Sequence, residues 1–324
     1  MISQKTVFIL GAGASKPFGL PTGQELLDII SESLIYKPFT IYDHEIPSNI
    51  YIQNQKVIKD DNKSNNPFFQ LLINLGYSRK EIEKFSQDLK QSQLNSIDSF
   101  LEYRTEYIEI GKYCIAYNLL KRESEKFLFS NSDWYKYLWT RLSTNFEDIS
   151  KNTISFITFN YDRSLEFYFT KSMSALFDKS DEECLLKLSE IPIIHLHGQL
   201  GYLPFDSNEN KIKYGEEIES VDQLKMAAKS IKIVHESIHE DPQFTQAKKL
   251  INEAEKICIL GFGFNHKNVE RLQLSNISCP AYASMFGYTS HELYYIINKI
   301  GSINKNNVIQ GDCLNLLRNK FPFT

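Results

Sequence analysis

The chain has 324 residues, enough for about two domains at roughly 150 residues each, or for one large domain with an insertion. Hydrophobic residues make up 42% and charged residues 23%, which excludes a disordered chain, a collagen-like fibre and a small disulfide scaffold. The 36 basic and 40 acidic side chains leave a net charge of −4, so no global electrostatic attraction to nucleic acid or an anionic membrane is expected.

The five cysteines, Cys114, Cys184, Cys258, Cys279 and Cys313, are odd in number and none fall in C-x-x-C spacing. Reduced, buried thiols in a cytoplasmic protein are expected, rather than a disulfide framework or a zinc ribbon. The apolar run ending at Leu10 is too short for a signal-peptide core, and no apolar stretch reaches the 18 residues that would suggest a membrane span.

In chain order, Thr6 to Leu10 reads as a strand buried on both faces. The glycine turn Gly11-Ala12-Gly13-Ala14-Ser15 follows, and Gln24 to Leu34 has its apolar residues at helical spacing. Tyr36 to Asn66 is polar and irregular, with residues 60–66 as its expected exposed tip. Pro67 to Asn145 is helical in pattern and rich in Leu, Tyr and Phe, with stripes such as Ile97, Phe100, Leu101 and Tyr103 expected in a core. Further strands are expected at Thr153–Asn160, Ile191–His197, Ser230–Val234, Lys256–Leu260, Ala281–Tyr288 and Val308–Ile309. Helices are expected at Phe244–Glu255, His291–Ile300 and Asp312–Asn319. The alternation predicts an α/β fold: a Rossmann-like open parallel sheet with helices on both faces. One domain spans 1–324, with a large helical insertion at about 36–150 and the Rossmann-like part at 1–35 and 151–324.

Four segments can carry chemistry. Gly11 and Gly13 lie between a buried strand and a helix, where backbone N–H groups can cradle a pyrophosphate; a plain tight turn explains them equally well. Lys16 stands where G-x-G-x-x-G has its third glycine, and no Walker loop is present. Asn160 and Asp162 follow a strand at the end where open α/β sheets bind ligands, or they form an Asx turn that ends it. His195 and His197 share one face of the next strand; either is a candidate general base or a hydrogen-bonded core residue. Gly261-Phe262-Gly263, with Asn265 and His266 beyond, is a second strand-to-glycine turn. An H-E-x-x-H match at His235–His239 would need a helix, but a strand-like run precedes it and Asp241-Pro242 follows, so no metal is expected there.

Taken in order, these pieces resemble the sirtuin superfamily, in its bacterial sirtuin-like branch. GAGASKPFGLPTG looks like the family's GAG-x-S-x-x-x-G-[IL]-P loop, and TFNYD is similar to its T-x-N-x-D strand end. HLHG resembles the H-G pair and IVHESIHEDPQF the V-x-F-G-E-x-L-P segment. ICILGFGF resembles the I-x-x-G-T-S turn and IQGDCLNLL the final turn near the adenine. The resemblance implies that Gly11, Ala12, Gly13 and Ser15 hold the pyrophosphate of NAD+. Asn160 and Asp162 contact the nicotinamide ribose and the attacking water, and Asp162 faces the developing positive charge. His197 is then the general base, and His195 a core residue. Gly261, Phe262 and Gly263 approach the adenosine phosphate and ribose, and Asp312 and Cys313 the adenine. Thr22 joins the NAD-binding set where the family's acidic-Phe-Arg cover of the nicotinamide is replaced by Thr22-Gly23-Gln24.

Residues 198–231 contain no cysteine, so the zinc ribbon of protein-deacylating sirtuins is missing, and Val234-His235 replaces the F-G that pairs with an acyl-lysine peptide. The implied activity is NAD+ hydrolysis at the nicotinamide–ribose bond, in an NAD-depleting effector of bacterial antiphage defence. The implied company is a homo-oligomer and a defence partner such as an ATPase or a sensor protein, with no membrane and no direct nucleic acid. The alternatives are an NAD-dependent protein deacylase or ADP-ribosyltransferase, and a non-catalytic sensor of NAD or ADP-ribose.

Overall fold

A computed structural model describes residues 1–37, 64–130, 133–142, 145–233 and 241–323. Its centre is a six-stranded, all-parallel sheet: β1 (Thr6–Leu10), β2 (Ile154–Thr158), β3 (Ile193–His195), β4 (Lys256–Leu260), β5 (Ala281–Ser284) and β6 (Ile303–Ile309). The strand order is β3-β2-β1-β4-β5-β6. The order reverses between β1 and β4, so their carboxyl ends flank the topological switch point, where doubly wound folds place ligands.

The sequence of β1 explains why the sheet is covered on both faces. Phe8 and Leu10 point into one core with Phe156, Cys258, Leu260, Trp134, Phe169 and Leu316. Val7 and Ile9 point into the other, with Ile157, Ile257, Ile259, Ala247, Ile251 and Ile296. Every residue of β1, β2 and β4 is buried, as expected of parallel strands sandwiched between helices.

A third core lies beyond the carboxyl ends of the strands. It joins the Gly23–Ser33 helix to the helices Pro67–Asn74, Arg79–Gln91, Ile97–Tyr103 and Ile108–Leu120, with Leu200, Ile212 and the Val221–Ala228 helix. The helical block and the segment after β3 therefore form one layer. Helix Trp134–Leu142 belongs instead to the first core, against Cys313–Asn319. The layers are bolted by a buried ion pair, Arg163 to Glu123, with side chains 1% and 0% exposed. Arg163 also donates to the carbonyls of Gly201 (2.9 Å) and Ile212 (2.7 Å), and Glu123 accepts from the Gly215 amide. With its partners supplied, the guanidinium can be buried this far from water.

Several expectations are corrected. Of the strand expected at Ser230–Val234, the described residues 230–233 are not part of the sheet: Ile231 makes only an isolated antiparallel bridge to Gly198, and the Lys232 amide donates to the His197 carbonyl at 2.8 Å. Residues 234–240, with the H-E-x-x-H match, lie outside the described residues. β2 ends at Thr158 and β3 at His195, so Phe159, Asn160 and His197 leave the sheet. The strand expected at Val308–Ile309 begins at Ile303. Within the expected exposed tip, Ser64 is buried and Asn66 caps the Pro67–Asn74 helix; residues 60–63 are outside the described ones. Helices at Ser164–Phe177, Asp181–Leu188 and Val221–Ala228 were not anticipated from the pattern. Among the described residues no helix is long and apolar enough to cross a membrane, and all five cysteines are free thiols.

Candidate functional site

The two glycine turns meet backbone to backbone at the switch point. The Gly11 amide donates to the Leu260 carbonyl (3.0 Å) and the Gly13 amide to the Gly261 carbonyl (2.9 Å). A Cβ on Gly11 would stand 2.6 Å from the Gly261 oxygen, and one on Gly261 would stand 2.0 Å from the Ala14 nitrogen. Gly261 also has φ +57°, a conformation that side chains disfavour. Packing of one turn into the other thus accounts for Gly11, Gly13 and Gly261. Around Gly263 a Cβ would meet nothing, so that backbone is open toward the cleft.

Beside this junction lies a cleft of about 340 Å³, within the range of small-molecule sites. Gly11, Ala12, Phe159, Asn160, His197, Phe262 and Gly263 line its sheet side. Its opposite wall comes from the helical layer: Asn95, Ser96, Asp98, Ser99 and Glu102, at and within the Ile97–Tyr103 helix. Asn265, Lys267 and Asn268 close a third side.

Asn160 is fixed by a chain of donors. Tyr135 Oη bonds Ser164 Oγ (2.8 Å), and Ser164 Oγ donates to Asp162 Oδ1. Ser15 Oγ donates to Asp162 Oδ2 (2.8 Å) and accepts from Asn160 Nδ2 (2.9 Å). Asn160 Nδ2 also donates to the Gly11 carbonyl at 3.0 Å. A carbonyl can only accept, so the amide orientation is settled: Nδ2 faces the first glycine turn and Oδ1 faces away. Oδ1 is buried and has no partner among the described residues.

His197 is held between rings, edge-on to Phe159 (5.5 Å between centroids) and 6.0 Å from Tyr161. Its Nδ1 lies 3.5 Å from Asp98 Oδ1, and the Tyr161 hydroxyl donates to the same oxygen. Burial pushes the Asp98 carboxyl up, but the neighbouring His197 and the Tyr161 hydroxyl outweigh it and hold Asp98 below its ordinary value. His197 Nε2 is buried and unpartnered among the described residues. Asn160 Oδ1 and His197 Nε2 are thus orphaned polar atoms on two residues that line one cleft. A buried polar atom without a partner is costly, so each calls for a ligand or water.

The expected site residues divide into three groups. Gly11, Ala12, Asn160, His197, Phe262 and Gly263 come together at the cleft. Gly13, Ser15, Asp162 and Gly261 stand behind it. The Ser15 hydroxyl is spent on Asp162 and Asn160, which leaves it no donor for a phosphate. Both Asp162 oxygens accept from serines, and burial pushes its carboxyl up against their lowering effect. Asp162 therefore braces the chain that orients Asn160 rather than facing a substrate. Thr22, Asp312 and Cys313 do not line the cleft. Thr22 caps the Gly23–Ser33 helix in a capping box with Glu25, and Asp312 caps Cys313–Asn319. Cys313 is buried in the first core, where burial pushes its thiol up to about 12. His195 is a core residue: Nδ1 donates to the Asn160 carbonyl (3.0 Å) and Nε2 meets Glu166 at 2.6 Å. Burial lowers its pKa, but Glu166 outweighs burial and raises it above the ordinary value.

Asp98 and Glu102 went unrecognised in the sequence. Glu102 meets Lys267 Nζ (2.9 Å) and Arg271 Nη1 (3.0 Å) across the cleft. The available signal was Ser96-Ile97-Asp98-Ser99, a capped helix start with an acid in its first turn. No protein-family model and no curated protein matches the chain.

Proposed function

We propose that the chain is an NAD+ hydrolase that cleaves the nicotinamide–ribose bond and acts as an NAD-depleting effector of cytoplasmic antiphage defence in bacteria. The observation that carries the hydrolytic reading is the pair of orphaned atoms, Asn160 Oδ1 and His197 Nε2, at one cleft on the switch point of the sheet. The defence role rests on the resemblance of the ordered motifs to bacterial sirtuin-like proteins.

The chemistry follows from what these atoms can do. Departure of nicotinamide takes the bonding electron pair with it and leaves oxocarbenium-like charge on the ribose. Water then adds to that carbon, and its proton leaves for a base. Asn160 Oδ1 is an acceptor of fixed direction, suited to a ribose hydroxyl or the attacking water. His197 Nε2 is an acceptor in a low-dielectric wall, suited to take the proton. The lining carries two carboxylates, Asp98 and Glu102, against the Lys267 ammonium. Glu102 is matched by Lys267 and Arg271, so Asp98 is the carboxylate that favours the cationic nicotinamide ribosyl end and the charge that builds on the ribose. The Gly11, Gly13 and Gly261 amides are spent on Leu260, Gly261 and Ser284, so the pyrophosphate is left to the open backbone around Gly263.

The test is nicotinamide release from NAD+ by the purified chain without any acyl peptide, alone and with extract from phage-infected cells. Turnover by the parent and its loss in Asn160→Ala and His197→Ala are expected. NAD+ binding without turnover in every condition would replace hydrolysis by a sensor of NAD or ADP-ribose.

A further inference from the structure

We infer that Asp98, delivered by the helical layer, is the positioning residue for His197: it holds the proton on Nδ1 and aims an unprotonated Nε2 into the cleft. This inference deepens the hydrolase reading, on which its kinetic arm rests.

Three independent features of the geometry carry it. First, the groups are neighbours. Asp98 Oδ1 stands 3.5 Å from His197 Nδ1, while Nε2, across the ring, has no partner among the described residues. A carboxylate can only accept, so the neutral imidazole that faces it carries its hydrogen on Nδ1. The lone pair is then on Nε2. At 3.5 Å the contact is longer than a settled hydrogen bond, and such bonds tighten when substrate is bound.

Second, Asp98 is itself held. Tyr161, two residues before Arg163 on the segment that leaves β2, donates its buried hydroxyl to the same Oδ1. Ser96 Oγ accepts from the Ser99 amide at 3.2 Å and starts the helix, so Asp98 lies in the first turn, where the backbone dipoles favour a carboxylate.

Third, the helix is pinned at its other end. Glu102 lies one turn beyond Asp98, four residues on, and on the same face. Its carboxylate is gripped by Lys267 and Arg271 of the His266–Arg271 helix, which follows β4. One short helix thus reaches His197 after β3 with Asp98 and the far side of the switch point with Glu102. The helical layer completes the site rather than decorating it, and rotation of this helix would withdraw the carboxylate from the histidine.

The experiment uses the full chain and two readouts. The first is the ring tautomer of His197, read by ¹⁵N NMR of histidine-labelled protein and assigned with His197→Gln. The Nδ1–H form is expected in the parent near neutral pH, and a mixture shifted toward Nε2–H in Asp98→Asn. Identical spectra in the two proteins would overturn the proposal whether or not the chain turns over NAD+. The second is kinetic. Asp98→Asn is expected to lower kcat on the order of 10²-fold while KM stays within about threefold, and Asp98→Glu to restore part of kcat. A merely structural role would instead lower the thermal midpoint and leave the kcat of the folded fraction intact, which would overturn the proposal. A parent silent both alone and with infected-cell extract, yet showing the expected tautomers, would sink the hydrolase reading and leave the role of Asp98 in setting the ring standing.

Discussion

On the sheet side of the cleft, backbone meets backbone. Gly11, Gly13 and Gly261 interlock with no room for a Cβ, and Asn160 hangs from a buried chain through Ser15, Asp162, Ser164 and Tyr135. On the helix side, two carboxylates do the holding: Asp98 against His197 and Tyr161, Glu102 against Lys267 and Arg271. The cations that grip Glu102 are partly exposed, so salt reaches that clamp. One wall is set by sterics, which tolerate almost no change. The other is set by charge, which can be graded.

The sharpest way to break the comparison is a side chain in the steric wall. Gly261→Ala should cost upwards of about 3 kcal/mol, because φ +57° and the 2.0 Å approach to the Ala14 nitrogen must both be relieved. Denaturant unfolding would show this as a large fall in midpoint. A shift below about 1 kcal/mol would mean that the two turns are not locked. Gly263→Ala, with open space around it, is the matched control and should stay within about 0.5 kcal/mol in stability.

Next in size is the donor chain. Ser15→Ala deletes the link between Asn160 and Asp162 and leaves a buried carboxylate oxygen one partner short. A loss of about 1–3 kcal/mol in unfolding free energy is expected. Asp162 is already pushed toward its neutral form by burial, so the loss should shrink at acidic pH as that carboxyl protonates.

The charged wall should respond more gently. Glu102→Gln removes the carboxylate from two cations whose side chains are 32% and 19% exposed. With solvent screening, a cost on the order of 1 kcal/mol or less is expected, smaller still in high salt. A raised KM with nearly unchanged stability would place this contact in the clamp of the cleft.

The smallest effect is the pH response of His195. Its pKa is raised in the folded chain because Glu166 outweighs burial. A raised pKa gives stability that is complete below the ordinary histidine value near 6.5 and is lost as pH rises through the raised value. Thermal midpoints between about pH 6 and pH 9 should therefore fall by a few degrees more in the parent than in His195→Asn. Parallel curves would remove the charged His195–Glu166 pair.

These regions also differ in how openly the sequence declares them. The sheet wall is built from local signals: continuous apolar runs at Thr6–Leu10 and Lys256–Leu260, then glycines where each run ends. Gly11 and Gly263 can be placed at strand ends from those signals, and Asn160 and His197 from the apolar runs before them, while their meeting at one cleft follows from the strand order. The helix wall depends on a tertiary approach between residues 98 and 197, and no period or motif encodes such a distance. Ile97, Phe100 and Leu101 announce a core stripe and draw attention from the acids between them. Local chemistry pointed the other way at Asp162, whose oxygens are taken by Ser15 and Ser164, while Asp312 and Cys313 came from the resemblance alone. Polar residues at strand and helix ends look alike whether they face a ligand or cap a helix, and only the partners of their oxygens tell them apart.

The Arg163–Glu123 pair reaches further than its two residues. The acid belongs to the helical layer and the guanidinium to the start of the helix that follows β2, both out of reach of water. Removing the helical layer by deletion would strand a positive charge in the interior, a defect worth about 3–5 kcal/mol by itself. The layer and the sheet are therefore expected to unfold in one transition. A chain shortened to the sheet and its flanking helices is expected to unfold rather than to stand as an independent domain.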